Sequence, residues 1–195
     1  MKFVFSTPEP RYQEHAKSLL FLDHCVSEGD PNHDALLTLN EDGLGIHEPR
    51  RWHQPAFVID FTTMDIRTGA GNLSRKQPLA RAVGRQSDRV LDLTSGFGSD
   101  TTLLAGMGFQ VECRERHPIV YALLQDALHR AALHPLYSKT LSRKIRLQLG
   151  DAKDVGSSFL RAFDAVYVDP MYPPKKSKAA PPRRAQPVSY THLTL

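Results

Sequence analysis

Apolar and polar positions run along this chain in two rhythms, and the second half alternates between them. Residues 90–93, 109–113, 145–149 and 165–168 are short, mostly apolar runs of strand length. Helical spacing separates them. After Pro118, a favoured first-turn residue, Val120, Leu123, Leu124, Ala127 and Leu128 fall on one helix face. Strands alternating with helices predict an α/β unit with a parallel, doubly wound sheet. The first half reads differently. Ala16, Leu19, Leu20, Leu22 and Val26 predict a helix between Glu9 and Val26, stopped by Gly29 and Pro31. Residues 35–39 predict a strand, Asn40-Glu41-Asp42-Gly43 a hairpin turn, residues 44–47 the returning strand, and residues 57–61 a third. The chain thus divides into a small α+β appendage (1–65), an α/β domain (66–178) and a basic, proline-rich tail (179–195) expected to be disordered or extended.

The α/β unit is organised around residues 90–105, a strand closed by Asp92, a loop with Gly96 and Gly98, and then a helix. That is the first half of a βαβ nucleotide-binding unit, whose glycines let the backbone turn sharply and approach a ligand. Thr101 stands where a dinucleotide fingerprint would place its third glycine, and Asp100 precedes it. An acid there repels a pyrophosphate, which argues against a nicotinamide-dependent oxidoreductase, but it suits a ligand carrying an ammonium and a sulfonium. The D-x-T-x-G-x-G pattern resembles the first motif of methyltransferases that use S-adenosylmethionine.

Composition narrows the classes. In 195 residues the formal charge is +4 and the isoelectric point about 9.1, which permits contact with nucleic acid without requiring it. Arg67, Arg75, Lys76, Arg81, Arg85 and Arg89 stand among small residues, with Ser74 as a candidate helix cap and Leu79, Ala82 and Val83 as the packed face. This segment reads either as a solvated connector or as a positive rim for phosphates. Two distant cysteines suggest neither a disulfide framework nor a zinc site, and the histidines lack ligand spacing, so no metal is expected. No apolar run reaches the ~18 residues of a membrane span, and a cytoplasmic protein is expected.

Ligands of parallel α/β sheets collect at the carboxyl ends of the strands. Those ends carry Asp92 with the loop through Gly96, Gly98, Ser99 and Asp100; then Glu115; then Asp151 with Asp154; then Asp169. Glu115 lies close to the ~20-residue distance expected of an acid that binds a ribose diol. The Asp151 loop is a candidate for the adenine ring. Asp169-Pro170-Met171-Tyr172-Pro173 is the discriminating stretch. Methyltransferases acting on exocyclic base amines carry a D/N-P-P-F/Y loop here. The Asp169 carboxylate and a carbonyl near Pro170 would hold the amine hydrogens and align its nitrogen with the methyl group, while Tyr172 would stack on a base swung out of its helix.

Taken together, residues 90–105, Glu115-Arg116-His117-Pro118 and the Asp-Pro-Met-Tyr-Pro loop with its following lysines resemble the RsmJ family, bacterial methyltransferases of a guanine N2 amine in small-subunit (16S) ribosomal RNA. The resemblance extends from about Ala35 to Lys178. It implies a Rossmann-like class I methyltransferase fold, S-adenosylmethionine as cofactor, and ribosomal RNA as partner, met through the basic segment. It also implies cofactor contacts at Ser99 and Asp100, at Glu115 and Arg116, around Lys153 and Asp154, and at Asp169. Family members continue beyond the Asp169 loop with three more strands, so a sheet without its last strands is expected here. Methylation of another base or protein amine, and RNA binding without catalysis, remain the alternatives.

Overall fold

In the computed structural model, which describes residues 2–7, 10–19, 25–26, 34–47, 53–65 and 73–170, two sheets share one hydrophobic core. The first sheet contains β1 (Phe3–Ser6), β2 (Cys25–Val26), β3 (Ala35–Asn40), β4 (Gly43–His47) and β5 (Phe57–Val58), in the order β2-β1-β3-β4-β5. Strand β3 alternates buried and half-buried positions, with Ala35, Leu37 and Leu39 facing the core. The expected hairpin forms. The Asn40 side chain accepts from Asp42 N at 2.9 Å, and Gly43 adopts a left-handed φ of +112° that a side chain would strain.

Two expectations for this half are corrected. Among the described residues the helix is α1 (Gln13–Ser18), closed by an extended Leu19, and Cys25–Val26 is instead a strand parallel to β1; Leu20, Leu22, Gly29 and Pro31 lie outside the described residues. β1 itself was not anticipated. The third strand stops at Val58, because the Asp60 carboxylate accepts from Thr62 N at 2.9 Å and caps a 3-10 turn over Phe61–Thr63.

The second sheet contains β6 (Arg89–Asp92), β7 (Gln110–Glu115), β8 (Ile145–Leu149) and β9 (Ala165–Tyr167), all parallel, in the order β8-β7-β6-β9. Helices α2 (Pro78–Ala82), α3 (Ser99–Gly106), α4 (Pro118–Leu133) and α5 (Ser157–Leu160) are the α-helices of this half among the described residues. Around α2 the packed positions are Leu79, half-buried against the core, with Ala80 and Val83, whereas Ala82 is exposed; Gln77 rather than Ser74 precedes the helix.

Helix α4 carries the expected apolar face, but Ile119, Ala122, Asp126 and Ala131 are buried as well. It packs on β4 of the first sheet and on β7 and β8 of the second, so more than one stripe of the helix is covered. Through α4 the appendage becomes part of the same core as the α/β unit.

Candidate cofactor and target-base site

Parallel pairing brings the carboxyl ends of β8, β7, β6 and β9 to one edge of the second sheet. Asp92 lies opposite Cys113 and Tyr167, and Glu115 opposite Leu149. The acids singled out in the sequence therefore gather on one rim, not on opposite sides of the molecule.

Asp92, only 1% exposed, accepts from the Thr101 hydroxyl at 2.6 Å and from Thr94 N at 3.0 Å. Both of its oxygens thus shape the loop and the start of α3. Gly98 immediately precedes α3 with φ +79°; a Cβ there would lie 2.7 Å from Leu124 Cδ2 and 3.0 Å from Phe61 Cζ. Gly96, φ +51°, donates its N–H to Glu115 Oε2 at 3.1 Å, while Glu115 Oε1 accepts from His117 N at 2.8 Å. Two main-chain donors therefore lock the Glu115 carboxylate beside the glycine loop. A Cβ on Gly96 would meet nothing nearer than Thr94 O at 3.9 Å, so a ligand can approach the backbone there.

Ser99 opens α3 at the surface. Asp100 accepts from the Tyr167 hydroxyl at 2.6 Å, which joins the first turn of α3 to the end of β9. Asp151 caps a short 3-10 turn by accepting from Lys153 N at 3.0 Å, and its other oxygen lies 3.9 Å from Arg116 Nη1. Lys153, Asp154, Asp169 and Pro170 are exposed, and Asp169 N donates to the Thr94 hydroxyl oxygen at 2.7 Å. Tyr172 lies outside the described residues.

A rim of acceptors around one buried carboxylate, Asp92, fits a cation. Burial pushes the Asp92 carboxyl above its ordinary range, and the charges of Asp100 and Asp169 add to the rise. Burial likewise raises Glu115 against the backbone donors that oppose it. A raised carboxyl holds its proton more tightly in the folded state than in the unfolded one. Stability is therefore lost as pH rises from the ordinary carboxylate range, about 4, through the raised value. In urea titrations of the unliganded protein at stepped pH, wild type is expected to lose stability relative to Asp92→Asn as pH rises through that window. A gap independent of pH would count against a strained carboxylate. Binding of a cationic ligand favours the ionised form, so its affinity is expected to weaken toward acid.

Thr94, Thr101 and Tyr167 belong to this site and escaped the sequence reading. Two hydroxyl residues flanking an acid in a strand-to-helix turn were the available signal for the threonines. For Tyr167 it was the two-residue strand period, which puts it on the same face as Asp169.

The basic segment is less uniform than its composition suggests. Arg75 is a structural staple. It donates to the carbonyls of Met107 (3.3 Å), Arg85 (2.8 Å) and Ser87 (2.8 Å), with its guanidinium 4.0 Å from the Phe109 ring centroid. Arg89 stacks on Phe163. Lys76, Arg81 and Arg85 are exposed, and Arg67 lies outside the described residues. Among the described residues no cluster of three or more histidine, cysteine or acidic side chains is arranged to hold a metal, and no helix is long and apolar enough to cross a membrane.

The sequence model of the family described as "Putative SAM-dependent methyltransferase" matches residues 21–187. Curated relatives bear the name ribosomal RNA small subunit methyltransferase J. The protein from Pseudoalteromonas atlantica is 33% identical over 91% of this chain and 73% of its own length. That from Aeromonas hydrophila is 40% identical over 68% and 56%, and that from Halorhodospira halophila 39% over 69% and 52%. The chain thus spans between 52% and 73% of the length of these three relatives. Among solved structures, a SAM-dependent methyltransferase from Neisseria gonorrhoeae superposes with a TM-score of 0.65 at 25% identity, covering 88% of this chain and 69% of that one. Sequence, fold and the acid-rimmed glycine loop agree: the chain belongs to the RsmJ family of S-adenosylmethionine-dependent small-subunit ribosomal RNA methyltransferases.

Proposed function

We propose that this protein transfers the methyl group of S-adenosylmethionine to the exocyclic N2 amine of a guanine in 16S ribosomal RNA. One observation carries the reading: the acidic tips of four neighbouring parallel strands gather on one rim, with the Asp169-Pro170 loop hydrogen-bonded directly to the glycine loop. When bound, the cofactor supplies an electrophilic methyl group on a sulfonium. Glu115, held by two main-chain donors, has lone pairs left for the ribose hydroxyls, and Arg116 flanks it. The loop of Asp151, Lys153 and Asp154 serves the adenine. Ser99 and Asp100, beside Gly96 and Gly98, serve the methionine end, with Asp92 behind them.

A guanine amine is a weak nucleophile because its lone pair is delocalised into the ring. The Asp169 carboxylate and the Pro170 carbonyl accept its hydrogens, turn the lone pair toward the methyl group and stabilise the positive charge that develops on nitrogen. The proton released on transfer leaves along the Asp169 hydrogen bond to solvent, so no separate general base is needed. Tyr172 supplies the stacking face for the extruded base. Exposed Lys76, Arg81 and Arg85 supply phosphate contacts in the basic segment. A cytoplasmic location follows from this substrate. The proposed domain boundary near residue 65 separates the first sheet from the catalytic one.

Incubation with methyl-labelled cofactor and either naked small-subunit RNA or assembled subunits, followed by digestion to nucleosides, is expected to yield N2-methylguanosine. Label in another base or in protein would assign a different amine. Binding of RNA with no transfer to any acceptor would reduce the protein to an RNA-binding module.

A further inference from the structure

Strand β9 ends at Tyr167, and its last ladder contact is Leu93 N donating to Tyr167 O at 3.0 Å. Asp92 pairs with Tyr167, so continuing the register would set Thr94 opposite Asp169. The main chains no longer run side by side there, since residue 94 has begun the turn toward Gly96. The Thr94 hydroxyl takes over: its oxygen accepts from Asp169 N at 2.7 Å, the one hydrogen bond of the Asp169 main chain among the described residues. A side chain thus replaces a backbone carbonyl as the final rung of a parallel ladder. Thr94 is itself held, because its N–H donates to Asp92 Oδ1, while Asp92 Oδ2 takes the Thr101 hydroxyl of α3.

We propose that Thr94 is a positioning residue for methyl transfer, its hydroxyl fixing the Asp169-Pro170 loop at a set distance from the glycine loop. The inference rests on the enzymatic reading above and adds a residue to it. The role given to Thr94 is indirect. It acts through the main chain of Asp169, whose carboxylate must meet the target amine within a fraction of an ångström, and a misplacement near 1 Å can cost about a hundredfold in rate.

The test compares Thr94→Val, which keeps the branched shape and removes the acceptor, with Thr94→Ser, which restores it; Thr94→Ala serves if the valine variant folds poorly. Three quantities are read on the full chain. Hydrogen exchange at the Asp169 amide is expected to rise about tenfold in Thr94→Val. Cofactor affinity by calorimetry is expected to stay within about threefold, and single-turnover transfer to small-subunit RNA to fall about 10- to 100-fold. Thr94→Ser is expected to return all three toward wild type.

Wild-type transfer rates in Thr94→Val, an unchanged Asp169 exchange rate, or a loss of cofactor affinity as large as the loss of rate would each overturn the inference. The last would make Thr94 a support of the cofactor loop alone. A wild-type protein that binds cofactor and methylates nothing would instead overturn the enzymatic reading, and this inference with it.

Discussion

Asp169→Ala is expected to lower the rate of methyl transfer by about a thousandfold, the largest loss of any single side chain at the site. Removing one preorganised acceptor from developing charge typically costs 10²–10³, and misalignment of the amine adds to that. The fold should tolerate the change. Asp169 is exposed, and its hydrogen bond to Thr94 uses the backbone N–H, which alanine retains. Cofactor affinity is expected to change far less than the rate. The Asp169 charge is one of two carboxylate neighbours that raise Asp92, so its removal also lets the Asp92 carboxyl relax toward its ordinary range. Single-turnover transfer beside calorimetry reads both. Retention of more than about a tenth of wild-type rate would contradict the role given to Asp169. Asp169→Asn, which keeps one acceptor oxygen, is expected to fall between the two.

The parts of this protein that were legible from sequence are those whose signals are local and repeated. The β6–glycine loop–α3 stretch combines a strand rhythm, turn residues and a helix rhythm within 16 residues, and each confirms the next. The strand-end rule then places Glu115, Asp151 and Asp169 on the same rim. β1 was not legible: four residues, Phe3–Ser6, find their partners at Cys25–Val26 and Ala35–Thr38, through parallel pairings that leave no periodic trace nearby. Arg75 read as part of a positive rim because composition cannot show that its guanidinium lies over Phe109 beneath three carbonyls. Tyr167 and Thr94 were missed for a related reason. Their roles are defined by a neighbouring strand, and a single strand's sequence carries no label for the residue opposite.

Asp126 shows the same limit at its most consequential. A charged residue in mid-helix ordinarily faces water, yet this one is 1% exposed, because α4 is packed by both sheets. Its Oδ2 accepts from Leu44 N at 2.9 Å and from Arg130 Nε at 2.8 Å, and its Oδ1 lies 2.8 Å from His15 Nε2. Arg130 in turn reaches the Ile59 carbonyl and stands 3.7 Å from Asp60. Any Cβ on Gly43 would press into Asp126 Oδ2, at 2.7 Å, so the hairpin tip is fitted onto this carboxylate. Asp126→Ala would leave the buried Leu44 amide without its acceptor and take from the largely buried Arg130 its Nε partner and counter-charge. It is therefore expected to destabilise the protein by about 3–5 kcal/mol. At roughly 2–4 °C per kcal/mol for a chain of this size, the melting midpoint should fall by about 10 °C. Asp126→Asn preserves the shape and one acceptor and is expected to cost about half as much. The loss should also reach the cofactor loop, since α4 begins just after Glu115 and its Leu124 packs against Gly98. Weaker cofactor binding in Asp126→Ala at a temperature where the protein remains folded would show that the first sheet braces the site. A drop of less than about 1 kcal/mol in a urea titration would show that the hairpin only rests against α4.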